Sequence, residues 1–398
     1  LMREDEHTAE FLVELDDTLL SNLLQNETPE RISGLIEHAS ANDQSYILGT
    51  LEEDQAQSVI DLLKTEEQEE IEELMGYPED SAGAMMTTDI FTLYQNSTCK
   101  DALNSLQDQT EAEMVFYLYI TDEDDRMVGV ASLRALATTP SDTLLKNIMV
   151  KRVHSVRPDT DQEEVAQIVA QYNYLAVPVL DEDDHLLGIV TVDDVVDVIR
   201  EEATEDFLQM AGAGKDREIL LKSSWENARA RLPWLFASWI GGIIAVAVIG
   251  KFEYMLESII ALAAFIPVII GMGGNIGTQS STIIVRGIAT GRIEIGSEMK
   301  ILLKEIRVGM ILGVLYGLML GVFANFRFMD ADPMLGFVVG LSICCSMLIA
   351  TAVGTFTPLV LRKLDIDPAI ATGPFVTTSI DILGVLLYFV IAGYFLTI

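Results

Sequence analysis

The sequence contains few histidines and cysteines, and this scarcity excludes several kinds of catalysis. All four histidines lie in the first half of the chain, so the hydrophobic second half has neither the histidine pair of a zinc protease nor a histidine base for a serine nucleophile. The three cysteines follow no metal-binding or disulfide spacing. A P-loop motif is also absent, which excludes a P-loop ATPase. We therefore expect a protein that is not an enzyme.

Basic residues are scarce relative to acidic ones, and the imbalance is confined to one part of the chain. The 398 residues include 61 Asp and Glu but only 25 Lys and Arg, and just 11 of the acidic residues follow Leu221. An acidic first half is thus joined to a nearly neutral, apolar second half. The negative charge disfavours nucleic acid or an anionic membrane surface as a partner and favours cations. A halophilic or simply very soluble surface is the alternative interpretation.

Long apolar segments predict a transmembrane domain of five helices in residues 225–398. Each segment has the length that a bilayer requires. Ten basic residues flank the segments on one side and two on the other, so the positive-inside rule places the N-terminus in the cytoplasm and the C-terminus outside. Pro267 and the glycine-rich residues 271–277 predict an interruption of the second helix. The predicted spans are 232–250, 258–285, 308–326, 333–361 and 368–398.

The acidic first half is predicted to contain a helical domain followed by a duplicated α/β unit. Leucine and isoleucine recur at helical spacing in residues 1–80, and because the chain begins with Leu1 rather than Met, we expect this domain to be incomplete. In residues 81–145 and 146–200, a strand, the turn DEDD, a second strand and a helix occur twice, 59 residues apart. The repeat resembles a tandem pair of cystathionine-β-synthase (CBS) domains, which are regulatory modules that often bind adenosine nucleotides or cations.

The CBS resemblance implies a nucleotide site where a hydroxyl residue is followed by Asp three positions later. Thr191 and Asp194 meet this pattern in the second copy, whereas Ser132 in the first copy has no such aspartate. Thr191 and Asp194 are therefore the predicted ATP-binding residues. A purely structural pair of domains is the favoured alternative.

Residues 201–224 are predicted to form an acidic connecting helix between the two halves of the chain. Glu202, Glu205 and Asp206 fall on one face of this helix. Like charges at this spacing repel one another unless a cation lies between them. A solvated face is the default interpretation, and a face bridged by cations is the more specific one.

Asp381 is the only charged residue of the last predicted span, and a carboxylate at membrane depth costs about 2.5–3.5 kcal/mol to insert. Such a residue predicts a functional site, and the oxygen-bearing side chains around it suit a hard cation. One carboxylate is too little for a divalent cation, so we expect a homodimer with the pore on its two-fold axis. The alternative is an Asp381 that only fixes helix packing by hydrogen bonds to neighbouring hydroxyls. The predicted pore-lining residues are Asn275, Thr278, Gln279, Gly373, Pro374, Thr377 and Thr378.

The order of these segments resembles the MgtE family of Mg²⁺ channels. The resemblance is carried by YPEDSAGAMM, by the CBS pair and by two membrane motifs, GGNIGTQSSTIIVRGIATG and TGPFVTTSIDILGVLLYF. It implies that Asp381 binds hydrated Mg²⁺ and that the connecting helix closes the pore when Mg²⁺ bridges acidic residues of the cytosolic region. The chain departs from the family pattern where Asn173 replaces an expected Asp ligand and Gly373 replaces a pore-lining Asn. The implied regulatory ligands are Glu163, Asp194, Asp197, Glu202, Glu205, Asp206 and Asp367.

The predicted fold is a multidomain α-helical membrane protein. It has an all-α N-terminal domain, α/β tandem CBS domains, a connecting helix and a five-helix transmembrane domain. The predicted function is a Mg²⁺-selective channel of a bacterial-type inner membrane, which mediates downhill uptake and closes when cytosolic Mg²⁺ is high. The alternatives are a carrier or exchanger for Mg²⁺, Mn²⁺ or Co²⁺, and a membrane-anchored CBS sensor that moves no ions.

Overall fold

The computed structural model describes residues 6–108, 117–215, 219–293, 296–329, 332–364, 366–371 and 373–396. The chain forms two compact units, Leu1–Glu202 and Ala203–Ile398. Ile398, the predicted end of the fifth span, lies outside the described residues. Each unit is described by itself below.

Short amphipathic helices form the first part of unit 1, and side-chain caps define where two of them begin. The Thr28 hydroxyl accepts the Arg31 N–H at 3.4 Å, and the Ser40 hydroxyl accepts the Asp43 N–H at 3.1 Å. Leucines and isoleucines on the inner faces form a fully buried core. Within the described residues the helices are α1 Glu6–Val13, α2 Asp17–Leu24, α3 Pro29–Ile36, α4 Ala41–Gly49, α5 Glu53–Ile60 and α6 Thr65–Met75.

The rest of unit 1 is the duplicated α/β region, in which each copy contributes an antiparallel strand pair. The first copy contains β1, β2 and β3, with β1 parallel to β2, and the second contains β4 paired with β5. The elements are α7 Ala82–Met85, β1 Thr92–Tyr94, α8 Cys99–Asp108, β2 Tyr117–Thr121, β3 Met127–Ser132, α9 Leu133–Thr138, α10 Gln162–Tyr172, β4 Ala176–Leu180, β5 Leu186–Thr191 and α11 Val192–Met210.

The repeated DEDD segments form the hairpin turns of this region. In the first copy, the Asp122 carboxylate accepts the N–H groups of Asp124 and Arg126 at 2.9 and 3.1 Å. Asp125 has a positive φ of 58°, and Asp184 in the second copy has a φ of 67°. Aspartate tolerates this left-handed conformation better than most residues. The local turn geometry is therefore sufficient to explain the repeated aspartates.

Unit 2 contains the apolar part of the chain. Among the described residues, five helices are long and apolar enough to cross a membrane, by length and composition. A short helix and a 3₁₀ turn, Ile260–Phe265, follow the first long helix. The helices are α12 Ser224–Lys251, α13 Glu253–Ser258, α14 Ile266–Ala289, α15 Glu298–Arg327, α16 Leu335–Lys363 and α17 Pro374–Phe395.

The predicted interruption of the second span is confirmed near Pro267, where a 3₁₀ turn gives way to α14 at Ile266, and it is wrong at residues 271–277. Pro267 lies in the first turn of α14, where its missing N–H has no helical partner to lose. The helix then continues through residues 271–277 without a break. Several of its glycines are in contact with α16 and α17, and this packing offsets their low helix propensity. Gly277, for example, lies against the side chain of Ile380.

The predicted connecting helix is also shorter than expected. It is the end of α11, which begins at Val192 and stops at Met210. Gly212 and Gly214 follow with φ values of +69° and +103°, a conformation that favours glycine and cannot continue the helix. Residues 216–218 of the predicted helix lie outside the described residues.

A row of glycines brings α15 and α16 into close contact. A methyl group on Gly317 would lie 2.5 Å from the Gly340 carbonyl oxygen, and one on Gly321 would lie 2.6 Å from that of Gly336. Only glycine fits at such distances, as is common where helices cross in membranes. The core of the unit is completed by large side chains such as Tyr388 and Phe389.

Candidate functional site

Asp381 lies in the second turn of α17, partly exposed and against the backbone of α14. A methyl group added to Gly274 would be 3.7 Å from Asp381 Oδ1. Within the described part of the chain, the carboxylate makes no hydrogen bond and no ion pair. The neighbouring hydroxyls of Thr377 and Ser379 donate instead to the carbonyls of Pro374 and Phe375, at 3.2 and 2.8 Å. This arrangement gives no support to an Asp381 that serves helix packing through hydroxyl contacts.

The predicted pore residues of α14 lie on an exposed face of the helix. Gly271, Asn275 and Gln279 are spaced four residues apart and are all exposed, and Thr278 is half-buried. Amide side chains that face lipid are unfavourable, so polar side chains in membrane helices normally face a cavity or another protein surface. The Asn275 and Gln279 face is therefore a surface that needs water or a second subunit.

The start of α17 lies beneath the end of α11, and both belong to unit 2. A methyl group on Gly373 would be 3.4 Å from the carbonyl oxygen of Gln209 and 3.5 Å from that of Met210. Pro374 in turn lies beside Gly212. The predicted pore residue Gly373 is thus buried beneath the connecting segment, and a larger residue would meet this segment first.

Two of the predicted regulatory carboxylates meet at this place. Gln209 is almost completely buried and donates to Glu205 Oε1 at 2.9 Å and to Asp367 Oδ2 at 2.8 Å. The Lys215 ammonium lies 3.1 Å from Glu205 and 3.9 Å from Asp367. Glu205 and Asp367 are therefore close enough to share one cation, and Lys215 already supplies a positive charge. Asp206, the next residue of α11, is half-buried.

In unit 1, another glutamine joins two carboxylates. The buried Gln162 amide donates to Glu202 Oε1 at 2.6 Å and to Asp80 Oδ1 at 3.2 Å. The predicted ligand Glu163 follows it, and its N–H donates to Asp161, which caps α10. Gln162 thus links the carboxylate of Glu202 to that of Asp80, which was not among the predicted ligands.

The other predicted ligands of unit 1 have local roles. Asp197 is exposed and pairs with Arg200 at 3.0 Å. Asn173 ends α10 with a φ of 53°, a left-handed position for which asparagine is well suited. This geometry accounts for an asparagine where the family resemblance led us to expect aspartate.

The carboxylate of Asp194 has an acidic neighbour, Asp43, that the sequence did not indicate. Its carboxylate accepts the N–H and the hydroxyl of Thr191, so both predicted nucleotide-binding residues are engaged with each other. Burial raises the pKa of Asp194, and the negative charges of Asp193 and Asp43 raise it further. Burial also raises the pKa of Asp43, at the start of α4. Asp43 and Asp194 thus form an acidic pair that a cation would stabilise.

The described CBS region contains a cavity of about 210 Å³ that is lined by residues of both copies and is not the predicted nucleotide site. Its lining includes Ser132 and Arg152, together with three tyrosines, Tyr117, Tyr119 and Tyr174. Burial raises the pKa of the Tyr119 hydroxyl above its usual range. Aromatic rings and one guanidinium suit a planar anionic ligand.

Comparison with known proteins identifies three parts of the chain. Residues 266–391 match the MgtE divalent cation transporter domain, 82–141 and 145–201 match CBS domains, and 2–80 match the MgtE intracellular N domain. The chain is 39% identical over 333 residues to the magnesium transporter MgtE of Enterococcus faecalis, which covers 83% of this chain and 73% of that protein. The chain belongs to the MgtE family.

Other MgtE relatives are similar to the chain over comparable lengths. The magnesium transporter MgtE of Thermus thermophilus is 38% identical over 339 residues, covering 84% of this chain and 74% of that protein. A crystal structure of the soluble part of a magnesium transporter is 38% identical, with a TM-score of 0.47, and covers 50% of this chain and 78% of that one. The predicted family and the predicted multidomain membrane fold of this MgtE chain are confirmed.

Proposed function

We propose that this chain is a Mg²⁺ channel in which two copies of Asp381 line a pore on a two-fold axis. The observation that carries the proposal is Asp381 itself, which is partly exposed at membrane depth, beside Gly274, with no partner among the described residues. Family membership and similarity to magnesium transporters support Mg²⁺ transport across the cell membrane. Transport by such a protein requires no catalytic centre.

The charge balance favours a dimer. Mg²⁺ gives up its water reluctantly, so a hydrated ion would be held by a small number of carboxylates and by polar groups around them. Two Asp381 carboxylates match its charge, and the exposed Asn275 and Gln279 of each chain would face the same axis. A potential of 100 mV supplies about 2.3 kcal/mol per charge, hence about 4.6 kcal/mol for Mg²⁺, so inward movement needs no ATP. With the N-terminus in the cytoplasm, the acidic half would meet the ions that have entered.

The acidic cytosolic half supports feedback by the transported ion. At low Mg²⁺ its carboxylates repel one another, and Mg²⁺ bound between them replaces this repulsion with attraction. Closure would hold the end of α11 over Gly373 at the start of the last span. The proposed regulatory ligands are Glu163, Asp194, Asp197, Glu202, Glu205, Asp206 and Asp367, to which the geometry adds Asp43 and Asp80.

For a nucleotide, the CBS cavity is a better location than Thr191 and Asp194. The two predicted residues are hydrogen-bonded to each other, whereas the cavity offers tyrosine rings and Arg152. We assign ATP to this cavity as a regulatory ligand. Calorimetric titration with ATP should give one binding event per chain, and Arg152→Ala should weaken the binding. If the Arg152→Ala protein binds ATP as tightly as the wild type, ATP binds elsewhere.

Mg²⁺ uptake by proteoliposomes tests the proposed pore. Asp381→Asn keeps the size of the side chain and removes its charge, and we expect it to lower uptake about tenfold or more, the equivalent of at least 1.4 kcal/mol. Ser379→Ala is the matched control on the same helix. Uptake by Asp381→Asn equal to that of the control would contradict the pore assignment, and uptake that requires a Na⁺ or proton gradient would favour a carrier. Competition by Mn²⁺ and Co²⁺ in the same assay measures selectivity, and the mass of the purified protein tests the dimer.

A further inference from the structure

A second carboxylate lies in the membrane unit, and it is more deeply buried than Asp381. Glu305 of α15 is 7% exposed, and the Ser280 hydroxyl of α14 donates to its Oε2 at 3.3 Å. This is its only hydrogen bond within the described residues, where it forms no ion pair. Two basic neighbours in sequence, Lys304 and Arg307, are exposed and point elsewhere on the helix.

The hydroxyls of two further buried side chains belong to the same three-helix junction. On α16, Thr351 lies against Gly309 of α15, and because these helices are antiparallel, one more turn on each places Thr355 opposite Glu305. Thr355 is completely buried, and its hydroxyl has no hydrogen-bond partner in the described structure.

On α14, Ser281 follows Ser280 and lies one turn beyond Gly277, which is in contact with the α16 backbone at Gly354. Ser281 is also completely buried and its hydroxyl has no partner among the described groups. Buried hydroxyls normally find a partner, so two unsatisfied ones that the helix registers place at the level of the Glu305 carboxylate indicate a ligand. Ser280, Ser281, Glu305 and Thr355 together offer oxygen atoms from three helices.

Apolar side chains separate this junction from the cytoplasmic ends of the helices. One turn beyond each of these polar residues, on the same helix, lies an apolar side chain of one hydrophobic cluster. Ile284 follows Ser280 in this way, Leu359 follows Thr355, and Ile301 precedes Glu305. The carboxylate is therefore removed from water on that side. A buried charge with a single neutral hydrogen bond is unfavourable, so its charge must be balanced.

We propose that Glu305, Ser280, Ser281 and Thr355 form a buried binding site for a small monovalent cation such as Na⁺. The site offers only oxygen atoms and a single negative charge, which balance one positive charge. Mg²⁺ would need a second carboxylate and would have to shed most of its water. The bound cation would hold α14, which carries the exposed Asn275 and Gln279, against α15 and α16. This site is distinct from the Asp381 site.

Thermal unfolding of the purified full chain tests the site. The melting temperature is measured in NaCl, LiCl, KCl and choline chloride at constant ionic strength and without Mg²⁺. Because a ligand that binds only the folded state stabilises it, Na⁺ should raise the wild-type melting temperature by about 2–4 °C over choline at about tenfold the dissociation constant. Glu305→Gln, which keeps the shape of the side chain, should abolish the difference. Asp381→Asn should retain it.

Direct binding of ²²Na⁺ completes the test, with one ion expected per wild-type chain and none for Glu305→Gln. If Glu305→Gln does not fold, Thr355→Val removes one oxygen with little change of shape and should raise the Na⁺ concentration needed for half-saturation at least threefold. A wild-type melting temperature that does not depend on Na⁺, together with no bound ²²Na⁺, would overturn the proposal. Unchanged Na⁺ binding by both Glu305→Gln and Thr355→Val would overturn it as well.

Discussion

Two carboxylates on the long apolar helices of unit 2, Asp381 and Glu305, differ in what surrounds them. Asp381 is partly exposed and reaches the α14 backbone at Gly274, where a hydrated ion can approach it. Glu305 is buried and receives one hydrogen bond from Ser280. Exposure thus separates a carboxylate suited to a moving, hydrated ion from one suited to a fixed and dehydrated ion.

We expect Asp43 and Asp194 to make the stability of the acidic first half depend on pH and Mg²⁺. Their folded-state pKa values are raised, so the folded protein binds more protons than the unfolded chain between about pH 4 and those raised values. Its stability should therefore fall as pH rises through this interval, and Mg²⁺ should restore it at pH 7. We expect Asp194→Asn to flatten both dependences in calorimetric scans of the full chain.

The control for this prediction is Asp54→Asn, at an exposed carboxylate of the helical domain that also contains Asp43. It should leave both the pH dependence and the Mg²⁺ effect unchanged. Equal behaviour of the Asp54 and Asp194 variants would show that the pair does not bind a cation.

At the residue scale, the sequence predicts a functional carboxylate only when no nearby residue in the sequence offers a simpler explanation of its charge. Asp381 could be predicted because no basic residue shares its apolar segment. Glu305 could not, because Lys304 and Arg307 balance it in the linear sequence and only the helical packing shows that they point away. Asp43 is hidden for a similar reason, since it is one of many acidic residues and only the fold brings it near Asp194.

At the scale of helices, α12 packs against α17, and the two helices approach most closely at Gly241. A methyl group on Gly241 would collide with the Thr378 side chain of α17, whereas one on Gly242 would meet nothing within 4 Å. We expect Gly241→Ala to destabilise the protein by about 1–3 kcal/mol through overpacking and to lower Mg²⁺ uptake, because Thr378 is a predicted pore residue.

Gly242→Ala is a control for helix propensity at the adjacent position and should remain close to wild type. Melting temperature and proteoliposome uptake are measured for both variants. Equal loss in the two would attribute the effect to helix propensity rather than to the contact with Thr378.

The end of α11 is held in place by the Lys215 ammonium as well as by Gln209. Lys215→Met removes the positive charge beside Glu205 and Asp367, and the connecting segment should detach more readily from the start of α17. For a largely exposed ion pair worth about 0.2–1 kcal/mol, uptake at low Mg²⁺ should rise roughly 1.5- to fivefold. Closure at high Mg²⁺ should persist, because Mg²⁺ can take the place of the ammonium.

Lys300→Met, at an exposed lysine of α15, controls for the loss of a positive charge. It should leave uptake at low Mg²⁺ unchanged. If uptake at low Mg²⁺ is the same for Lys215→Met and for this control, the Lys215 ammonium has no role in closing the pore.

The sequence predicts helices better than it predicts where they break. The apolar lengths predicted all five membrane helices, since a bilayer requires that length. The α-helix of the second span begins beside Pro267, but the break expected at residues 271–277 does not occur, because the α14 glycines pack against α16 and α17, contacts that the sequence does not show. The end of α11 at Met210 likewise depends on the turn at Gly212 and Gly214.

At the scale of the whole molecule, the chain joins an acidic half to an apolar half. The composition alone predicted this division, and the family comparison confirmed its two parts. The pairs that glutamines make between carboxylates could not be predicted, because each joins residues far apart in the sequence, as Gln209 and Asp367 do. These pairs are where we expect the concentration of Mg²⁺ to act on the fold.

In the proposed channel, Mg²⁺ passes Asp381 and cytosolic Mg²⁺ closes the path. Currents from inside-out patches test it most directly, with Mg²⁺ on the cytosolic face raised from micromolar to millimolar concentrations. We predict that wild-type current falls as cytosolic Mg²⁺ rises and that Asp381→Ala carries almost no current. Wild-type currents that do not change in millimolar cytosolic Mg²⁺, or currents that persist unchanged in Asp381→Ala, would contradict this mechanism.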